Sequence, residues 1–152
     1  MGSDLTAIAI TFHEVTLPFD EFSELEHDAG VHGHLFLMRL RNNWTDAVNR
    51  FDAPGDCLLG AYTGTQLVAV GGLSRDPYTD DARNGRLRHV YVHDNHRERG
   101  IARRHASELL ARNTNFETIR LRSVNPVASQ VYGRLGFIAI IAPTATHTLA
   151  TP

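Results

Sequence analysis

Arg97-Glu98-Arg99-Gly100-Ile101-Ala102 joins a strand-like run to a helix-like run. Upstream, Leu87-Arg88-His89-Val90-Tyr91-Val92 is apolar on alternate positions, the period of a strand. Downstream, Ile101, Ala102, His105, Ala106, Leu109 and Leu110 follow a helical period. A strand feeding a Gly-containing turn and then a helix start aims backbone N–H groups at one spot. The helix dipole adds roughly half a positive charge there. The stretch therefore reads as a cradle for a phosphate or pyrophosphate.

Bulk composition narrows what that cradle serves. The chain has 152 residues, the size of one domain spanning 1–152. Its net charge of -2 argues against broad capture of nucleic acid. No apolar run approaches the roughly 20 residues that span a bilayer, and Met1-Gly2-Ser3-Asp4 lacks the features of a signal peptide. The expectation is a cytoplasmic protein with no membrane partner. The single Cys57 excludes an internal disulfide and a Cys-rich metal site. All 15 basic residues are Arg. Without Lys there is no Walker P-loop and no Schiff-base chemistry.

Working outward, Thr6 to Val15 reads as a strand and Pro18 to Ala29 as an acidic helix. Gly30 to Gly33 breaks the chain, and His34 to Phe51 reads as an amphipathic helix. Cys57 to Tyr62 and Gln66 to Leu73, joined by Thr63-Gly64-Thr65, give a hairpin signal. Ser74 to Gly85 is a polar loop and Arg86 to Val92 the next strand. Gly100 to Arg112 is a helix, Thr118 to Val124 a strand, and Pro126 to Leu135 a helix. Pro126 opens that last helix and Gly136 follows its end. Phe137 to Ala142 and Thr146 to Ala150 close the order β-α-α-β-β-β-α-β-α-β-β. This is an α/β (α+β) fold, with a mixed sheet of about seven strands and helices packed on it.

Two segments now stand together. One is Arg97-x-x-Gly100-x-Ala102 after its strand. The other is Asn125-Pro126-x-Ala128-x-x-x-Tyr132-x-x-Leu135-Gly136-Phe137. With the element order, they resemble the GNAT family, the Gcn5-related N-acetyltransferases. The first segment is similar to that family's acetyl-CoA pyrophosphate motif and the second to its Asn…Ala…Tyr…Leu-Gly-Phe helix. Ala102 stands where many members have Gly. The resemblance implies a mostly antiparallel sheet, acetyl-CoA as donor, and transfer of its acetyl group to the amine of an acceptor.

The resemblance also implies site residues. Arg97, Glu98, Arg99, Gly100, Ile101, Ala102 and Arg103 would cradle the pyrophosphate. The backbones of Val90, Tyr91 and Val92 would meet the pantetheine arm where the strand splays. Asn125 and Ala128 would border it, with Asn125 also suited to capping its helix. Tyr132 matches the family's general acid, a phenol that hydrogen-bonds to or protonates the leaving thiolate. Many members carry a Glu base on the strand before the turn, where this chain has Arg86. His89 is the titratable base on that strand in the useful pH range.

Alternative readings stand beside these. Arg99 and Arg104 also fit a solvated helix face, and Tyr132 a side chain packed on the sheet. His93-x-x-His96 is half a metal site with no further ligands in sequence, so no metal is expected. Trp44, Phe36 and Phe51 fit a core, and Cys57 a small buried hydrophobe. The acceptor would sit among Gly30 to Arg41, Ser74 to Gly85 and Ile141 to Leu149. Two hints about it conflict. The acidic helix (Asp20, Glu21, Glu24, Glu26, Asp28) suits a cationic amine, whereas Arg86 and Arg88 suit a carboxylate or phosphate. An acyl-CoA sensor without turnover, or a phosphate-binding domain unrelated to CoA, is the competing class. The short apolar C-terminal strand is compatible with a homodimer.

Overall fold

Small and apolar residues make the runs around positions 57 and 66 good central strands, since a strand covered on two faces has little room for polar side chains. In the computed structural model, which describes residues 9–17, 20–97 and 100–151, they are β2 (Cys57–Thr63) and β3 (Gln66–Arg75). Eight consecutive residues of β3 are buried. β1 (Thr11–Glu14) flanks β2, and β4 (Asn84–Val92) flanks β3. The sheet continues through β5 (Thr118–Leu121), β7 (His147–Ala150) and β6 (Ile138–Ala139) in the order β1-β2-β3-β4-β5-β7-β6. All neighbours are antiparallel except β4 and β5.

Helices cover the two faces. α1 (Asp20–Val31) and α2 (Phe36–Thr45) lie on one face. There Phe22, Leu25, Leu37 and Leu40 pack against Leu58, Val70 and Tyr91. α3 (Ile101–Ala111) and α4 (Pro126–Arg134) lie on the other. There Leu109, Phe116 and Phe137 meet Leu59, Leu73, Leu87 and Ile119. This is the mixed, mostly antiparallel seven-stranded sheet and helix order expected from the sequence.

Several boundaries differ. The second helix stops at Thr45, well short of Phe51. Ala47 and Phe51 then take φ of 58° and 51°, left-handed conformations that a helix cannot contain. The loop folds Phe51 onto Gly72 of β3, where a Cβ would collide with the ring. Packing of one aromatic residue on a bare strand thus overrides helical periodicity. The polar loop expected over 74–85 is shorter, because β3 reaches Arg75 and β4 starts at Asn84. β5 ends at Leu121, not at residue 124, and β6 keeps only two residues. Of the strand and helix expected to start at Thr6 and Pro18, residues 6–8, Pro18 and Phe19 lie outside the described residues.

Candidate active site

The parallel pair β4–β5 holds register only through Asn84↔Thr118, Gly85↔Ile119 and Arg86↔Arg120. β4 then runs on to Val92 with no ladder partner on that side. The cause is local. Opposite β3, Arg88 pairs with Gly72 and Tyr91 with Val70, so His89 and Val90 together face Gly71. This is a β-bulge, which bends the bulged strand and increases its twist. His89 takes φ 59°, the left-handed conformation of the bulge type that usually places Gly there, and a histidine adopts it at a cost. Gly71 is required opposite it, since a Cβ there would stand 2.7 Å from His105 Cε1 and 2.9 Å from Val90 Cγ2.

Beyond the bulge, the His93 N–H donates to the Val68 carbonyl at 2.8 Å. Antiparallel alternation then turns the N–H and C=O of Val92 away from β3, into the gap beside β5. That is the polar edge a peptide-like arm could pair with. In this structure Arg97 Nε donates to the Val92 carbonyl at 3.2 Å. The Arg97 guanidinium also lies 5.2 Å above the Tyr91 ring and 3.5 Å from Asp94. Tyr91 offers the gap neither its ring, which is buried under α1 and α2, nor its backbone, which the same alternation turns toward Val70 of β3.

The turn into α3 is shaped as a cradle. Asp94–His96 forms one 3-10 turn, capped where His93 Nδ1 accepts from the Asn95 N–H. Gly100 caps α3 with φ 74°, and nothing lies within 4 Å of where its Cβ would be. The N–H groups of Ile101, Ala102 and Arg103 form the helix's first turn, which has no intrahelical acceptors. Arg103 is exposed beside them, whereas Arg104 packs over Phe12 at 6.0 Å. Glu98 and Arg99 lie outside the described residues.

Asp28 anchors this turn from α1. Its Oδ2 accepts from the Tyr91 hydroxyl at 2.6 Å and the Asp94 N–H at 3.0 Å, and Oδ1 lies 3.6 Å from His93 Nε2. Burial pushes its carboxyl up, but Tyr91, Asp94, His93 and His32 outweigh that and hold it below the usual carboxylate range. In the sequence, Asp28 is one of five acids on the helix that suits a cationic amine. The available signal was its place between Leu25 and Ala29, on the buried stripe of the helix.

Across the gap, Asn125 caps α4, accepting from the Val127 and Ala128 N–H groups at 2.8 and 3.3 Å. That is the capping role, with Ala128 a half-buried neighbour. Tyr132 stands 5.7 Å from the Phe137 ring and 6.3 Å from the His147 ring. His147 pairs with Leu121, the last residue of β5, so Tyr132 lies by the strand end where β4 and β5 have parted. Its hydroxyl has no hydrogen-bond partner among the described residues. Burial pushes the phenol up to about 12.

His89 sits against Phe51 at 6.3 Å, on the α1–α2 face, with Nε2 buried and without a partner. Burial, then the charges of Arg88 and Arg39, pull it down to about 4 despite a backbone contact with Phe36. Arg86 replaces the expected carboxylate with a buried guanidinium facing Asp76 at 3.6 Å. His93 and His96 are 5.9 Å apart but serve the turn. Cys57 is buried, its thiol pushed up to about 12 by burial and Glu14.

Comparison with known proteins agrees with this layout. The Acetyltransferase (GNAT) family matches residues 17–137. A candidate acetyltransferase from Exiguobacterium sp. 255-15 superposes with TM-score 0.82 at 26% identity, covering 93% of each chain. One of the GNAT family from Desulfovibrio desulfuricans gives TM-score 0.73 at 16% identity, covering 93% of this chain and 99% of that one. A candidate acetyltransferase from Salmonella typhimurium, solved with acetyl-CoA, gives TM-score 0.66 at 16% identity over 93% and 91%. No curated protein matches in sequence. The residues matched span both the pyrophosphate-type turn and the Tyr132 helix, and the chain belongs to the GNAT family of acetyltransferases.

Proposed function

We propose that this protein is an acetyl-CoA-dependent N-acetyltransferase acting on a primary amine by direct attack on the thioester. The observation that carries the reading is the gap after Arg86↔Arg120, with outward-turned Val92 on one wall, α3's first turn at its mouth and Tyr132 across it. The residues fit the donor. The Gly100–Arg103 N–H groups suit a pyrophosphate, and the Val92 edge suits the amides of pantetheine once Arg97 lets go of its carbonyl. Acetyl-CoA supplies an acyl thioester: a C–N bond forms to the amine, the C–S bond breaks, and sulfur takes the electron pair.

Tyr132 stays protonated throughout the working pH range, so its O–H always faces the developing thiolate as a donor. Moving its proton from about 12 to an ordinary thiol near 8.5 is uphill by about 5 kcal/mol. Tyr132 therefore stabilises the leaving sulfur by hydrogen bonding, and solvent completes the protonation. His89 at about 4 cannot strip an ordinary ammonium near 10 without about 8 kcal/mol. The acceptor thus arrives as free amine, and His89, its Nε2 closed to solvent, takes no part in deprotonating it.

Thiol release from acetyl-CoA over a panel of amines tests the reading. Turnover with some amine, slowed in Tyr132→Phe, is expected. If acetyl-CoA raises the melting temperature and no amine gives turnover, the protein is an acyl-CoA sensor instead. The weak base at His89 is the observation that favours that second reading.

A further inference from the structure

On the acceptor side of the sheet, next to the bulge, lies a cluster of positive charge. Leu87 packs toward α3, so strand alternation turns Arg86 and Arg88 to the α1–α2 face. Ile119 and Leu121 likewise send Arg120 to that face. The Arg120 guanidinium bonds Asp76 at 3.0 Å, and that of Arg86 lies 3.6 Å from the same oxygen. Arg86 Nη2 also donates to the Thr144 carbonyl at 2.8 Å, and its face lies 4.6 Å from the Tyr78 ring centroid. Asp76 is fully buried and Arg86 is 7% exposed. A buried and a half-buried guanidinium therefore share one carboxylate, and Arg86 Nη1 has no hydrogen-bond partner.

Arg88 adds a third charge. It is half-buried and has neither an ion pair nor a side-chain hydrogen bond among the described residues. The helices of that face do not neutralise the cluster. α2, which packs on β4, holds no acid. In α1, Asp28 is engaged by Tyr91 and Asp94, and Glu26 by Arg41 at 2.6 Å. The conflict between acidic helix and basic strand is thus resolved in favour of the strand. Uncompensated charge in a poorly solvated place is costly, and a ligand of opposite charge relieves that cost.

Resting on the acetyltransferase reading, we infer that the acceptor amine carries a compact oxyanion, a carboxylate or a phosphate, bound by Arg88 in the field of Arg86 and Arg120. Arg88 adjoins the bulge and Arg86 lies three residues before His89, roughly 10 Å along the strand. The anion is therefore held a short way from the amine being acetylated. Arg88 makes the contact, because Arg86 Nη1 is closed to solvent. The fork geometry of a guanidinium suits either oxyanion bidentately.

The test uses matched pairs: an α-amino acid against its carboxamide, and phosphoethanolamine against ethanolamine. Thiol release should favour the anionic member of a pair, and Arg88→Gln should lower that preference roughly 10- to 100-fold with KM for acetyl-CoA unchanged. The pair that responds tells carboxylate from phosphate. Binding is read separately, by whether the N-acetylated anion, with CoA present, raises the melting temperature of the wild type more than that of Arg88→Gln. Equal turnover of charged and neutral partners overturns the inference while leaving acetyl transfer intact. If no amine turns over, a charge-selective, Arg88-dependent melting shift upholds the inference and its absence overturns it.

Discussion

Removing the Tyr132 hydroxyl separates a structural from a chemical role for this side chain. The hydroxyl has no partner among the described residues, and the ring's contacts are with Phe137 and His147. Tyr132→Phe keeps the ring and deletes a polar atom that makes no bond in the fold. Deleting a hydroxyl that makes no bond in the fold is near neutral, so stability should change by less than about 0.5 kcal/mol. For a chain of this length that is within about 2 °C of melting temperature. The effect on chemistry should be far larger. A donor held where negative charge develops contributes about 2.7–4 kcal/mol, a loss of roughly 10²–10³ in kcat. Thiol release at saturating acetyl-CoA, with melting curves on the same samples, reads the two numbers together. Full kcat in the variant, or a slow variant whose melting temperature falls by more than about 5 °C, would refute the reasoning.

Three further outcomes follow from the geometry. Gly100→Ala should cost about 1–2 kcal/mol, from the left-handed φ alone since space is open, and should weaken CoA binding at least tenfold by reorienting the first-turn N–H groups. Calorimetric titration checks it, and unchanged affinity would move the pyrophosphate elsewhere. Asp28→Asn should cost about 1–3 kcal/mol by weakening its bonds to Tyr91 and Asp94. Faster hydrogen exchange at Asp94 and Asn95 should accompany that loss. His89 and His105 are both pulled down to about 4 by burial from 6.5. The unfolded chain therefore binds more protons than the folded one between those values, and stability falls as pH drops below 6.5. At pH 5 each contributes a loss of about 2 kcal/mol relative to neutral pH. Denaturant midpoints at pH 7 and pH 5 measure it, and equal midpoints would show the two imidazoles free to protonate.

The sheet, its four helices and the turn at Gly100 were legible because each rests on a local pattern: alternation, helical period or a glycine past a helix end. The bulge was not. It depends on which residue of β3 stands opposite His89, and register is set by tertiary pairing. The early end of α2 was hidden for a similar reason. Trp44, Val48 and Phe51 keep helical spacing, yet the fit of Phe51 onto Gly72 pulls the chain out of the helix. Tyr132 and Gly100 were found from motif spacing, whereas Asp28 looked like one acid among several. The Asp76–Arg86–Arg120 cluster joins residues on β4, β5 and the loop after β3, so no single window of sequence contains it.

A structure of the protein with CoA tests the central claim most directly. The account predicts the pyrophosphate against the N–H groups of Gly100 to Arg103, and the pantetheine paired with Val92 along the gap. It also predicts the Arg97 guanidinium displaced from the Val92 carbonyl and the sulfur within hydrogen-bond reach of the Tyr132 hydroxyl. CoA bound away from the β4–β5 gap, or a gap closed by continued β4–β5 pairing beyond Arg86, would contradict it.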